Sequence, residues 1–141
     1  MKTLKAMMMG LALLVFCGVA NAGVKVSHNP TKDEVVDTYV NAVTKGDLSG
    51  IDNAIDEDAQ FNTMRGDHVN TLNKGQLLDY LKDNANTKQD CKCTSSVMLD
   101  TDDKYVKKVV MQFGDITRTD VVTAERAGEG WKITKVETSF K

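Results

Sequence analysis

The strongest constraint on this chain is a change of hydrophobic period near Gln89. Before it, apolar residues recur every three or four positions, as on one face of a helix; after it, they alternate, as on one face of a strand. Helical segments first and strands second point to an α+β domain, not to repeating βα units.

The helical half has recognisable starts and stops. Thr31-Lys32-Asp33-Glu34 is a capping box, in which the Thr31 hydroxyl accepts from the Glu34 amide and the Glu34 carboxylate reaches back. Val35, Val36, Tyr39, Val40 and Val43 then share one helix face, and Gly46 ends the helix. Asp47 can cap a second segment with Leu48, Ile51 and Ile55 as its apolar positions. Asp52, Asp56, Glu57 and Asp58 crowd its exit, which the helix dipole disfavours, so it should be brief. Ala59 to Met64 reads as a strand leading into the Arg65-Gly66-Asp67 turn, with His68 to Thr71 as its returning partner. The Gly-Asp pair is an ordinary turn former, which accounts for the Arg-Gly-Asp tripeptide without an integrin-type role. A third helix starts at Asn73, with Gln76 as the reciprocal cap and Leu77, Leu78, Tyr80 and Leu81 as its buried side.

The second half reads as a meander of four long strands. Cys91, Cys93, Ser95, Val97 and Leu99 are expected on one face of the first. Tyr105 to Phe113 follows, with Val109, Met111 and Phe113 on one face and Val106 and Val110 on the other. Ile116 to Arg126 and Trp131 to Phe140 complete the set, separated by Gly114-Asp115 and Gly128-Glu129-Gly130. The architecture expected is a curved antiparallel sheet packed on three N-terminal helical segments.

The first residues carry an address. Lys2 and Lys5 precede an uncharged apolar run from Ala6 to Val19, and Ala20-Asn21-Ala22 supplies a small-residue cleavage site. Basic, apolar, small is the order of a secretory signal peptide. A membrane span needs about 20 apolar residues, more than this run provides. Acylation at Cys17 is disfavoured because Phe16 stands where a small residue is wanted. The organisation expected is a signal peptide over 1–22, a mobile leader over 23–30 and one domain over 31–141, periplasmic or secreted, with no membrane contact after cleavage. The 18 Lys and Arg residues against 20 Asp and Glu give a net charge of -2, leaving no cationic excess for a nucleic-acid footprint.

The helix of Val35 to Lys45, the Gly46-Asp47 break, the Asp58-Ala59 step into Phe61 and the ending Gly130-Trp131-Lys132-Ile133-Thr134-Lys135-Val136 together resemble the nuclear transport factor 2-like superfamily. They are most similar to its secreted bacterial branch, labelled "putative lumazine-binding". The resemblance implies a cone-shaped, cystatin-like α+β fold in which the bent sheet wraps the first helix. That fold hosts isomerases, dehydratases, transport adaptors and association domains, so function has to come from the site.

Three readings of function remain open on these residues, the third being a purely structural domain whose cone is filled by its own side chains. The first is a non-catalytic binding or association domain with a small apolar cavity, taking a small hydrophobic or anionic ligand and pairing as a homodimer through the outer sheet face. Its candidate lining is Tyr39, Phe61, Tyr80, Met111, Arg118 and Trp131. Arg118 would anchor a carboxylate or phosphate if its strand face points inward, and would otherwise make a solvated contact with Asp120. Trp131 is either core or pocket wall. The second is an isomerase or dehydratase of the ketosteroid-isomerase-like kind. It would need a carboxylate base, Asp120 or Asp67, beside a tyrosine donor, Tyr39 or Tyr80, inside the cone. No cofactor is implied. No metal site is expected either, because Cys91-x-Cys93 lacks a second pair and the two histidines, His28 and His68, lie in the leader and beside a turn. A bridge between Cys91 and Cys93 would close a small, strained ring, so reduced thiols or an easily reduced disulfide are expected.

Overall fold

A computed structural model describes residues 28–141. The expected signal peptide and most of the expected leader lie outside the described residues. At the leader's end, His28 bonds Glu34, Asn29 donates to Glu129, and Pro30 lies against Gly130.

Helix α1 spans Lys32–Lys45, with the full Thr31/Glu34 capping box at its start. Gly46 closes it at φ 65, in the left-handed region where a side chain is strained. A Cβ at this position would also come within 2.6 Å of the Asn86 and Thr87 backbone nitrogens. The reason is that the loop leaving the third helix docks here, donating from Asn86 N to the Gly46 carbonyl at 2.9 Å.

The single turn α2, Ile51–Ala54, is as short as its acidic exit requires. Strand β1, Ile55–Arg65, starts four residues before the expected Ala59, because Ile55 is already extended and fully buried. Its hairpin partner β2 is His68–Leu72. Helix α3, Lys74–Asp83, carries the expected Asn73/Gln76 capping box. Strands β3 (Lys92–Asp100), β4 (Lys104–Phe113), β5 (Ile116–Ala127) and β6 (Gly130–Phe140) form the meander.

These strands make one curved, open six-stranded sheet in the order β2-β1-β6-β5-β4-β3. All neighbours are antiparallel except β1 and β6, which run parallel. This corrects the expectation of a purely antiparallel sheet. Parallel neighbours need a long crossover, and everything between β1 and β6 supplies it. Hydrophobic alternation is identical for both strand directions, so the sequence pattern carries no mark of the difference.

Two of the three register shifts among the described strands reset which side chains share a face. Ala124 pairs with Ile133 and Thr123 with Lys135, so Thr134 is an extra residue in β6. That shift lets Trp131 and Ile133 on one side of it, and Val136 and Thr138 on the other, all be buried. In β3, Val97 pairs with Lys107 and Leu99 with Val106, so Met98 is extra. Leu99 therefore turns to the opposite face from Cys93, Ser95 and Val97, which corrects the expectation that they share one side. Cys91 lies just before the strand.

Helix α1 fills the concavity. Val35, Val36, Tyr39 and Ala42 pack into one core with Tyr105, Val109 and Met111 of β4, Val122 and Ala124 of β5, and Trp131, Ile133 and Val136 of β6. Leu77 and Leu81 of α3 join Ile55, Ala59 and Phe61 in that core.

Candidate functional site

On the inner side of β5, Asp120 alternates in phase with Val122 and Ala124, all three buried. Strand parity thus sends a carboxylate into an apolar core, with 0% of the residue exposed. Such a charge must find partners, and it finds three donors. Arg118, two residues earlier on the same side, donates from Nε to Oδ1 at 2.9 Å and from Nη2 to Oδ2 at 2.9 Å. The Tyr39 hydroxyl donates to Oδ2 at 2.8 Å from α1. Nη2 of Arg118 also reaches the Tyr39 oxygen at 3.3 Å. This is a two-pronged guanidinium–carboxylate pair with a phenol closing it, the strong charge-assisted form of hydrogen bond.

The surroundings fix the protonation of the donors. Burial, then the neighbouring Asp120 carboxylate, raises the Tyr39 phenol well above its ordinary value, so the ring stays a neutral donor. Burial works against the Arg118 charge, but the Tyr39 oxygen and the Asp120 carboxylate outweigh it and hold the guanidinium protonated. With 18% of its side chain exposed, Arg118 is the member of the trio that touches solvent.

Of the expected lining residues, the structure gathers four. Phe61 stacks on Tyr39 with ring centroids 6.3 Å apart and planes at 22°. Met111 is the register partner of Arg118 across β4 and β5, and is fully buried. Tyr80 does not join the buried side of α3 and is 56% exposed, a correction. Leu77 and Leu81 stand four apart and take the buried stripe, Leu78 takes one flank, and Tyr80 falls on the other. Asp67 is exposed in the β1–β2 turn, so it is no cone-facing base. Trp131 lies apart, 7% exposed, with Lys32 5.9 Å and Arg126 5.1 Å from its ring. It walls a surface groove of about 520 Å³ with Lys32, Asp100, Arg126 and Glu129.

One cluster escaped the sequence reading. Tyr105 of β4 donates to Asp33 of α1 at 2.6 Å, and Lys32 sits 5.2 Å over the Tyr105 ring while pairing with Asp100. The available signal was the placement of Tyr105 in phase with Val109 and Met111, which sends it inward to meet the first turn of α1. Among the described residues, no group of three or more His, Cys, Asp or Glu side chains is placed to hold a metal ion. Among them, too, no helix is long and apolar enough to cross a membrane.

A general base must offer an open oxygen to a substrate proton. An ionised carboxylate has about four acceptor directions, and Asp120 has committed three of them to its own chain. The arrangement can lock α1 to β5 and present one edge of a guanidinium at the core's boundary.

Residues 28–138 match a family model described as "Putative lumazine-binding". Among curated proteins, none matches. Solved structures share the fold. The structure of an "NTF-2 like protein of unknown function" from Silicibacter pomeroyi aligns with a TM-score of 0.63 at 18% identity, covering 76% of this chain and 90% of that one. A "putative calcium/calmodulin-dependent protein kinase type II association domain" from Thiobacillus denitrificans aligns at 0.56 and 13% identity, covering 79% and 95%. A "putative ketosteroid isomerase" from Parabacteroides distasonis aligns at 0.56 and 15% identity, covering 80% and 95%.

Proposed function

Starting from the fact that this chain belongs to the "Putative lumazine-binding" family and has the nuclear transport factor 2-like fold, we propose that it is an exported, non-catalytic small-ligand-binding or association domain. The observation that carries this reading is the commitment of Asp120. The carboxylate inside the cone is shut from solvent and held by Arg118 and Tyr39, so it serves as a structural tie.

The ligand class is small and either hydrophobic or anionic. Arg118 supports the anionic case, being the partly exposed cation at the boundary of the core. Export is supported by the order of residues in 1–22. Pairing through the outer sheet face is supported by Leu99, 41% exposed, and by Val106, its half-buried register partner on that face.

The test is native mass spectrometry of the protein recovered from its own host. The expected result is a dimer carrying one small molecule per chain, retained in Trp131→Phe and weakened in Arg118→Ala if the molecule is an anion. A monomer with no bound molecule in any preparation would contradict the reading.

A further inference from the structure

We propose that the groove bordered by the β1–β2 turn, the start of β5 and the end of β6 binds an amphiphilic anion, a hydrocarbon chain with one acidic head group. The groove has a volume of about 490 Å³ and is lined by Met64, Arg65, Gly66, Ile116, Phe140 and Lys141. That size lies within the range of small-molecule sites, about 300–1,000 Å³. Phe140 is the register partner of Arg118, and Ile116 precedes Arg118 by one full strand repeat, so both continue the inner face of the sheet past the end of the core. Met64, Ile116 and Phe140 are 47%, 55% and 40% exposed, three large apolar side chains left in water around one groove. Apolar residues gathered in this way mark an interaction site, whereas singly scattered ones do not.

The rim supplies the charge. Arg65 lies 5.5 Å over the Phe140 ring, which holds its guanidinium at one side of the apolar floor. Lys141 is fixed beside Ile116, because its backbone pairs with that of Thr117 in both directions, at 2.9 and 3.0 Å. Among the described residues, no Asp or Glu side chain forms an ion pair with Arg65 or Lys141. Asp67 and Asp115 sit in the adjoining turns, and neither lines the groove. On a chain of net charge -2, this apolar surface thus has two cationic side chains at its edge and no acidic one.

Charge and surface together select the occupant. A second copy docked here about a two-fold axis would set the Arg65 and Lys141 rim against its own counterpart, because such an interface matches a patch with itself. A neutral apolar ligand would leave the guanidinium without a partner, and a small polar anion would leave the apolar floor wet. A single-chain amphiphile answers both, with its head at Arg65 and its chain along Phe140, Ile116 and Met64. Met64 is unbranched and adaptable, suited to following a flexible chain. None of Tyr39, Arg118 and Asp120 lines the groove, so this ligand and the one argued from Arg118 stand or fall separately.

The test is titration of the full-length mature protein with octanoate, decanoate and dodecanoate below their micelle concentrations, followed by calorimetry and by backbone amide shifts. The expected result is one molecule per chain, with affinity rising up to about fourfold for each added CH2 and shifts centred on Gly66, Ile116 and Phe140. Decanol should bind more weakly than decanoate at low salt, and the two should converge as salt screens the head group. Arg65→Gln should weaken decanoate about fivefold, the upper range for an exposed ion pair, and leave decanol unchanged. Ile116→Ser should weaken both. Both positions are exposed, so melting of the variants should match the parent. Equal binding of alcohol and acid at low salt, affinity independent of chain length, or parent-like decanoate binding in Arg65→Gln or Ile116→Ser would overturn the proposal. So would shifts centred on Arg118, or binding to phosphatidylglycerol vesicles with none to the free acids.

Discussion

Asp120 has two oxygens, three donors and no exposed surface. Taking away one partner of such a pair leaves the other charge buried alone, which costs about 3–5 kcal/mol. Asp120→Ala should lower stability by that amount, whereas Tyr39→Phe, which keeps the ring and loses one hydrogen bond to a charged group, should cost about 1.5–3 kcal/mol. Urea unfolding of both variants checks the order. A smaller loss for Asp120→Ala than for Tyr39→Phe would mean that the ion pair contributes nothing to holding α1 on β5. The same trio predicts alkaline behaviour. Burial first, and Asp120 second, raise the Tyr39 phenol above 10.0, so the folded chain keeps a proton that the unfolded chain releases. Stability is then complete below about pH 10 and declines as pH climbs toward the folded value. The urea midpoint should fall above pH 10 in the parent and fall less steeply in Tyr39→Phe.

At the scale of elements, the joint at Gly46 unites a helix stop with a docking point for the exit of α3. Gly46→Ala meets both a left-handed φ of 65 and backbone nitrogens within 2.6 Å. It should therefore cost more than about 1 kcal/mol, read as a lower urea midpoint at an unchanged denaturant slope. Trp131→Ala should cost about 3–5 kcal/mol, the range for emptying a large buried aromatic site; parent-like melting with lost ligand would make Trp131 a pocket wall instead. Both helix starts were legible in the sequence because capping is local: Thr31 with Glu34, Asn73 with Gln76. The inward turn of Asp120 was left open by the sequence, because Val121 and Val122 put an apolar residue on each face of β5. Its tie to Tyr39 was not legible either, since 81 residues separate them and only the sheet's curvature brings them together. The bulges at Met98 and Thr134 and the parallel β1–β6 pair were hidden for the same reason: each is set by a partner strand far along the chain. Tyr80 misled because a ten-residue helix with three leucines has a wider apolar arc than the core has room to cover.

At the scale of the molecule, the proposed export makes a mass prediction. The exported protein should begin at Gly23, and intact mass would show it; retention of residues 1–22, or acyl chains on Cys17, would refute the cleavage. The central claim is that the interior of the cone holds its carboxylate as a tie and not as a base. The most direct measurement is turnover of steroid-like and polyketide-like substrates by the parent protein and by Asp120→Asn, with the fold of each verified by circular dichroism. Neither protein should show turnover. Turnover by the parent that disappears in a folded Asp120→Asn variant would contradict it and make this cone an isomerase or dehydratase site.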